Sequence, residues 1–136
     1  RESLEMTYRN SPFSLETLIT RARIRVRLGD TEQAILNVKR DRDRRNQTQP
    51  YQWASVGSTF ANPPGDYAGR LIEEVGLKGY AIGGAKISEL HANFFMNEGD
   101  ATTEDFLRLM ALARVRVRLR FQLALCPEDH IVGLSG

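Results

Sequence analysis

The sequence predicts an α+β fold. One segment alternates apolar and charged residues, as a half-buried strand does, and other segments show helical spacing bounded by capping and glycine signals. The 136 residues are 41% hydrophobic and 26% charged, which is sufficient for a core and argues against general disorder. This length fits one ordinary domain or parts of two.

The first half contains one predicted strand and one predicted helix. Strict alternation over residues 20–28 predicts a half-buried strand with its arginines on the outer face. Asp30 then predicts a helix N-cap, with Gln33 as its capping-box partner. Pro50 ends this helix, because proline disfavours helical backbone at the residue before it. We expect a domain boundary there, since glycine and small residues dominate the composition beyond it.

The second half predicts two further helices and several short strands. One helix covers residues 67–75, with Gly76 just past its end, and a longer one begins at Thr102 or Thr103. The glycine pair in the loop over 79–84 brings the backbone close to another segment or turns it sharply. The predicted strands cover residues 85–88, 92–97, 123–125 and 130–132.

Composition limits the possible functions. No apolar run approaches the length of a membrane span, and no secretory leader opens the chain. The single Cys126 excludes an internal disulfide and fits a reducing compartment, so we expect a cytoplasmic protein. The arginine clusters make nucleic-acid binding an alternative, but exposed arginines are more often a solvated face, and we expect no nucleic-acid partner.

Several kinds of chemical site lack their signatures. His91 and His130 stand far apart without cysteine partners, so no metal site is predicted. Ser58 lacks the glycine pattern of a hydrolase nucleophile elbow. The pair Gly83 and Gly84 is too short for a dinucleotide fingerprint.

Residues 56–69 are the most informative stretch of the chain. They contain two prolines and several glycines just before a predicted helix, so they are expected to contribute little to the core and to present small polar groups. Ser58 is the first candidate for a functional side chain. The other candidates are Arg9, Asn62 and Glu128, although each alone also has a structural explanation as a surface, turn or rim residue.

Several short motifs follow one another in a fixed order. They are Tyr-Arg-Asn-Ser at 8–11, Arg-Arg-Asn-Gln-Thr-Gln-Pro at 44–50, Gly-Ser-Thr-Phe-Ala-Asn-Pro at 57–63, Ala-Gly-Arg-Leu-Ile-Glu at 68–73, Gly-Leu-Lys-Gly at 76–79, Ile-Gly-Gly-Ala at 82–85 and His-Ala-Asn-Phe at 91–94. In order and spacing the chain resembles the C-terminal portion of the type II UDP-N-acetylenolpyruvoylglucosamine reductases, a family of flavoenzymes. Gln47 is an apparent insertion relative to the family pattern, and Trp53 is unusual before Ser58.

The resemblance implies an activity. The family uses NADPH to reduce FAD, and then transfers a hydride to the enolpyruvyl ether of a UDP-linked amino sugar, in peptidoglycan synthesis. By the same resemblance, Ser58 is the proton donor, Arg9 pairs with the substrate carboxylate, and Glu128 is the second polarising residue, protonated or sharing a proton. Tyr8 and Asn62 shape the substrate pocket. His130 departs from the family pattern, which often has arginine there.

The resemblance also implies a domain organisation. Residues 1–49 correspond to the end of an FAD-binding domain of the PCMH-like kind, 50–126 to a small α+β substrate-binding domain, and 127–136 to a closing strand. No pyrophosphate loop occurs in the chain. We therefore expect a fragment, or one of two chains, that holds FAD poorly and is inactive alone. The alternative is a nucleotide-sugar-binding module without catalysis. The sequence predicts no membrane partner and no particular oligomeric state.

Overall fold

The computed structural model describes residues 5–8, 11–13 and 16–128. The chain divides into two compact units, residues 1–37 and 38–136. The elements, in chain order, are α1 (Thr31–Thr48), β1 (Ala54–Ser58), α2 (Ala68–Glu74), β2 (Ala81–Ile82), β3 (Ala85–Ile87), β4 (Phe94–Asn97) and α3 (Thr103–Phe121). The predicted α+β class is confirmed.

In the first unit, the strand predicted over residues 20–28 is wrong. These residues form neither helix nor strand, and the side chains of Ile24, Val26 and Leu28 are exposed. Alternation stabilises a strand only when a neighbouring strand satisfies its backbone and a core covers its apolar face. Among the described residues, this segment has neither.

Helix α1 begins as predicted. The backbone N–H of Gln33 donates to Oδ1 of Asp30 at 3.0 Å, which satisfies one of the unpaired donors at the helix start. The side chain of Gln33 donates to Asn37 instead, at 3.2 Å. The helix ends at Thr48, shortly before Pro50, and none of its residues is buried.

The second unit contains a four-stranded antiparallel sheet in the order β1-β4-β3-β2. Strands β3 and β4 are confirmed, whereas β1 and β2 were not predicted. Residues 79–84 were expected to form a loop, and the end of β1 falls in the turn-rich run over 56–69. The predicted strand over 123–125 is wrong: the segment lacks ladder pairing, but Leu125 is buried. The strand predicted over 130–132 lies outside the described residues.

Helices α2 and α3 supply most of the remaining core. Both are confirmed, and α3 begins with a full capping box in which Thr102 Oγ1 accepts from Asp105 N at 3.2 Å and Asp105 Oδ2 accepts from Thr102 N at 2.9 Å. The core residues of the second unit are Phe60, Ala68, Leu71, Ile72, Leu77, Ala85, Ile87, Ala92, Phe95, Leu109, Met110, Ala113, Val117 and Leu125.

The turn-rich run over 56–69 contributes more to this core than predicted. Phe60 is almost fully buried and meets Phe95 edge to face, with ring centroids 5.9 Å apart. Ala68 is also buried. The run therefore anchors the end of β1 to the sheet while it turns toward α2.

Candidate active site

Ser58 lies at the end of β1, at a cleft of about 440 Å³. The residues around this Ser58 cleft are Ser58, Asn62, Tyr67, Gly69, Arg70, Glu73, Leu90, His91, Ala92 and Asn93. They come from the edge of the sheet, the start of α2 and the turn before β4. The cleft has the size of a small-molecule site. A second cleft of about 430 Å³ lies along α1 and Tyr51, and its lining includes none of the predicted site residues.

The backbone that presents Ser58 is irregular and firmly held. Ser58 pairs with Phe94, but the ladder shifts register between Ser55 and Ser58, where Gly57 adopts φ +82°. Such a bulge re-aims the side chains that follow it, and the positive φ favours glycine. Beyond the bulge, Thr59 N donates to Asn93 O at 2.9 Å.

The side chain of Asn93 fixes the next residue. Its Oδ1 accepts from Phe60 N at 3.0 Å, and its Nδ2 donates to Phe60 O at 2.8 Å. Asn93 is only 4% exposed, so both hydrogen bonds are shielded from water. A buried amide that satisfies both backbone groups of one residue leaves the chain after Ser58 little freedom.

Glu128 lies beside this same segment. Phe60 and Pro127 form an antiparallel bridge, Glu128 N donates to Thr59 O at 3.0 Å, and Ala61 N donates to Cys126 O at 2.9 Å. Glu128 is half-buried. The pairing places Glu128 opposite Thr59, the residue that follows Ser58, although Glu128 and Ser58 are far apart in sequence.

Asn62 lies on the rim of the cleft and closes its loop. Its Oδ1 accepts from the backbone N–H of Ala68 at the start of α2, at 3.0 Å. This is the structural role that the sequence allowed as an alternative to substrate binding. This hydrogen bond uses one of the two acceptor positions of the oxygen, so the side chain can still bind a ligand through the second position or through its amide nitrogen.

The structure therefore places Ser58 and Asn62 on the cleft. Glu128 pairs through its backbone with Thr59, next to Ser58, but is not among the residues that line the cleft. Tyr8 belongs to the first unit, where its side chain is 65% exposed. Arg9 and His130 lie outside the described residues. Gln47 lies within α1, and Trp53 in the turn before β1.

Arg70 is a cleft residue that the sequence analysis did not select as functional. Its guanidinium binds both carboxylate oxygens of Asp66, with Nε 2.7 Å from Oδ1, and it lies 5.6 Å from the ring centroid of Phe121. The hydrogen bond from Arg70 lowers the pKa of Asp66 to about 2. The spacing of four residues between opposite charges was the signal available in the sequence.

His91 and Asn93 were also missed as cleft residues. His91 Nδ1 accepts from Asn93 N at 3.2 Å, so the ring proton of the neutral form resides on Nε2. The ring packs edge to face on Phe94 and close to Gly69, where a Cβ would stand 3.1 Å from Cε1. Burial lowers the pKa of His91, so the imidazole is neutral near pH 7 and offers one donor.

We expect His91 to make stability depend on pH. Because its pKa is lower in the folded state than in the unfolded state, the neutral ring stabilises the fold above about pH 6.5, and this contribution is lost as the pH falls through the lowered pKa. The urea concentration at the unfolding midpoint of the wild type should therefore be lower at about pH 5 than at about pH 7.5. The midpoint of His91→Gln should decrease less over the same pH change. An identical decrease in both proteins would exclude His91 as the cause.

Together, the antiparallel sheet, the two packed helices and a ligand-sized cleft at the sheet edge define a small α+β domain with a candidate binding site. A family model described as the C-terminal domain of UDP-N-acetylenolpyruvoylglucosamine reductase matches residues 49–132. The chain belongs to this reductase family.

Relatives and a solved structure agree with this assignment. A UDP-N-acetylenolpyruvoylglucosamine reductase from an Anaeromyxobacter species is 48% identical over 131 residues, which cover 96% of this chain and 41% of the relative. The reductase of Caldanaerobacter subterraneus is 42% identical over 133 residues, or 97% of this chain and 44% of the relative. The crystal structure of the Thermus caldophilus reductase aligns with a TM-score of 0.60 at 40% identity, covering 73% of this chain and 35% of that one. The chain thus spans less than half the length of these relatives.

Proposed function

We propose that this chain is the substrate-binding part of a reductase that converts UDP-N-acetylenolpyruvoylglucosamine to UDP-N-acetylmuramate during cytoplasmic peptidoglycan synthesis. NADPH is the proposed reductant and FAD the proposed mediator. Family membership supports the reaction. The observation that supports the site is the hydrogen bond from Glu128 N to Thr59 O, because it holds the backbone of Glu128 beside the residue that follows Ser58.

The glycine pair at residues 83 and 84 does not fit the pyrophosphate of FAD. A flavin pyrophosphate needs glycine backbone that it can approach, but a Cβ on Gly84 would stand 2.7 Å from Ala101 Cα, so this glycine serves internal packing. We propose that FAD binds mainly to a part of the reductase that this chain does not include, and that the chain alone is inactive. When bound there, reduced FAD supplies the hydride.

We also propose a division of the chain into three parts. Residues 1–49 would complete the FAD-binding domain of the PCMH-like kind, 50–126 would bind substrate, and 127–136 would close the domain. The start of the family-model match at residue 49 supports the first of these boundaries.

The proposed chemistry adds a hydride and a proton across the enolpyruvyl double bond. The hydride goes to the methylene carbon, and negative charge develops on the neighbouring carbon and its carboxylate. Arg9 would pair with that carboxylate, and Glu128 would polarise the developing enolate-like group. The Ser58 hydroxyl would then donate its proton to the carbon, giving the lactyl ether.

The rest of the cleft would orient the sugar nucleotide. Asn62 and Tyr8 would shape the pocket. Arg70, held by Asp66, presents a fixed cation where anionic groups of the ligand could bind. His91 offers a single donor from Nε2 in the same cleft.

Turnover of the intact reductase that contains this chain tests the proposal. We expect NADPH oxidation that requires both FAD and the enolpyruvyl sugar nucleotide, and none with UDP-N-acetylglucosamine, which lacks the double bond. The isolated chain should show no turnover. Absence of substrate-dependent NADPH oxidation by the intact protein would overturn the proposed reaction.

The alternative function is a nucleotide-sugar-binding module. The compact second unit, with its own core and cleft, supports this alternative. Titration calorimetry of the isolated chain with the enolpyruvyl sugar nucleotide, with and without FAD, separates the two. Micromolar binding that is independent of FAD, together with an inactive intact protein, would favour the module.

A further inference from the structure

Helix α3 has a second apolar stripe on the side opposite its core face. Its core residues are Leu109, Met110, Ala113 and Val117. On the outer side, Ala111, Val115 and Leu119 follow one another at intervals of four residues, and Val115 and Leu119 are 55% and 78% exposed. Residues at this interval share one face of a helix, so the exposed side chains are aligned rather than scattered.

Arginines border this stripe. Arg114 and Arg118 lie along one side, and Arg116 and Arg120 lie on the other, by the helical period. No acidic residue occurs between Phe106 and Phe121. Within residues 16–128, the one arginine of α3 that forms an ion pair is Arg108, which binds Glu104. Arg120 stacks on Phe121, with its guanidinium carbon 5.5 Å from the ring centroid.

The arginines beside the stripe favour an anionic partner. A second copy of the same helix would oppose arginine to arginine, which is repulsive. An anionic lipid surface matches both features: basic clusters on an amphipathic helix bind anionic headgroups, and apolar side chains enter the boundary between headgroups and acyl chains. Arginine can bury its methylene groups beside the stripe while its guanidinium stays at the phosphates.

We propose that the outer face of α3 binds the surface of an anionic lipid bilayer, with Val115 and Leu119 inserted shallowly and the flanking arginines on lipid phosphates. The contact would be peripheral, since no helix within the described ranges is long and apolar enough to cross a membrane. The inference is independent of the proposed reductase activity, because α3 contributes no residue to the Ser58 cleft.

Cosedimentation of the full chain with vesicles tests the proposal. We expect binding to vesicles of phosphatidylcholine with phosphatidylglycerol, little binding to phosphatidylcholine alone, and weaker binding as salt increases. Arg114→Gln with Arg118→Gln should lower the partition coefficient roughly 25-fold, at about fivefold per arginine. Val115→Ser with Leu119→Ser should lower it about fivefold or more.

Arg42→Gln with Arg45→Gln, on α1, is the matched control. It removes the same charge from another helix, and we expect less than about a threefold change. Equal losses in the two arginine variants would overturn the proposal, as would equal binding to neutral and anionic vesicles.

Two further results would also overturn it. In one, the double variant Val115→Ser with Leu119→Ser binds anionic vesicles as tightly as the wild type, and polyglutamate or RNA displaces the wild-type protein from those vesicles. That result would indicate a surface that binds polyanions in general. In the other, the intact reductase fails to bind anionic vesicles.

Discussion

Ser58→Ala should abolish most turnover of the intact reductase while leaving flavin reduction by NADPH unchanged. The loss should lie in reoxidation by the enolpyruvyl sugar nucleotide, because in the proposed reaction only that half-reaction adds a proton to the substrate carbon. Removing a positioned general acid costs about 10²–10⁴ in rate. Rapid mixing of reduced enzyme with substrate, followed through flavin absorbance, measures this step directly.

Ser55→Ala is the matched control for this prediction. Ser55 lies on the same strand, is exposed, and is absent from the residues around the cleft. We expect wild-type rates for both half-reactions. Equal losses in both half-reactions of Ser58→Ala would contradict the proton-donor role and would indicate a disturbed fold instead.

Gly84→Ala should strongly destabilise the second unit, although it adds only one methyl group. The turn between β2 and β3 packs so closely that a Cβ would stand 2.7 Å from Ala101 Cα and from the carbonyl carbon of Asp100. These are backbone atoms, which cannot rotate away. In addition, Glu98 N donates to Gly84 O at 3.0 Å and ties the turn to the same segment.

The expected cost is about 2–3 kcal/mol, at the upper end of the range for overpacking. For a unit of this size it corresponds to a decrease of about 10–20 °C in Tm. Gly29→Ala is the control, because a Cβ there would meet nothing within 4 Å. Equal Tm values for the two variants, measured by circular dichroism, would contradict the close packing.

The helices could be predicted because their signals are local. Asp30 and Thr102 each cap a helix through a hydrogen bond to a residue three positions away. Gly76 adopts φ +72° just past α2, as its position predicted. In each case the signal lies within a few residues of the helix end that it marks.

The strands were harder, because their partners are distant in sequence. Strand β1 pairs with β4, and a bulge interrupts its alternation, so its residues resembled a turn. Residues 20–28 were predicted as a strand but do not form one. Their alternation is regular, but no partner strand occurs in the described part of the first unit, so the pattern alone did not produce a strand.

The candidate site was predictable only in part. The grouping of Ser58 and Asn62 follows from their closeness in sequence, but nothing local indicated that Glu128 would pair beside Thr59. Glu128 was a candidate as one of several scattered polar groups, and its role was assigned through resemblance to a family. Arg70, His91 and Asn93 were missed because their motifs did not show which side chains would face the cleft.

The bridge between Phe60 and Pro127 has a consequence for biosynthesis. During translation, the sheet and α3 can leave the ribosome and begin to pack before residues 126–128 emerge. The pairing that holds Glu128 can form only afterwards. A polypeptide that terminated prematurely after α3 would therefore retain most of the hydrophobic interior and lose the backbone pairing of residues 59–61, just after Ser58.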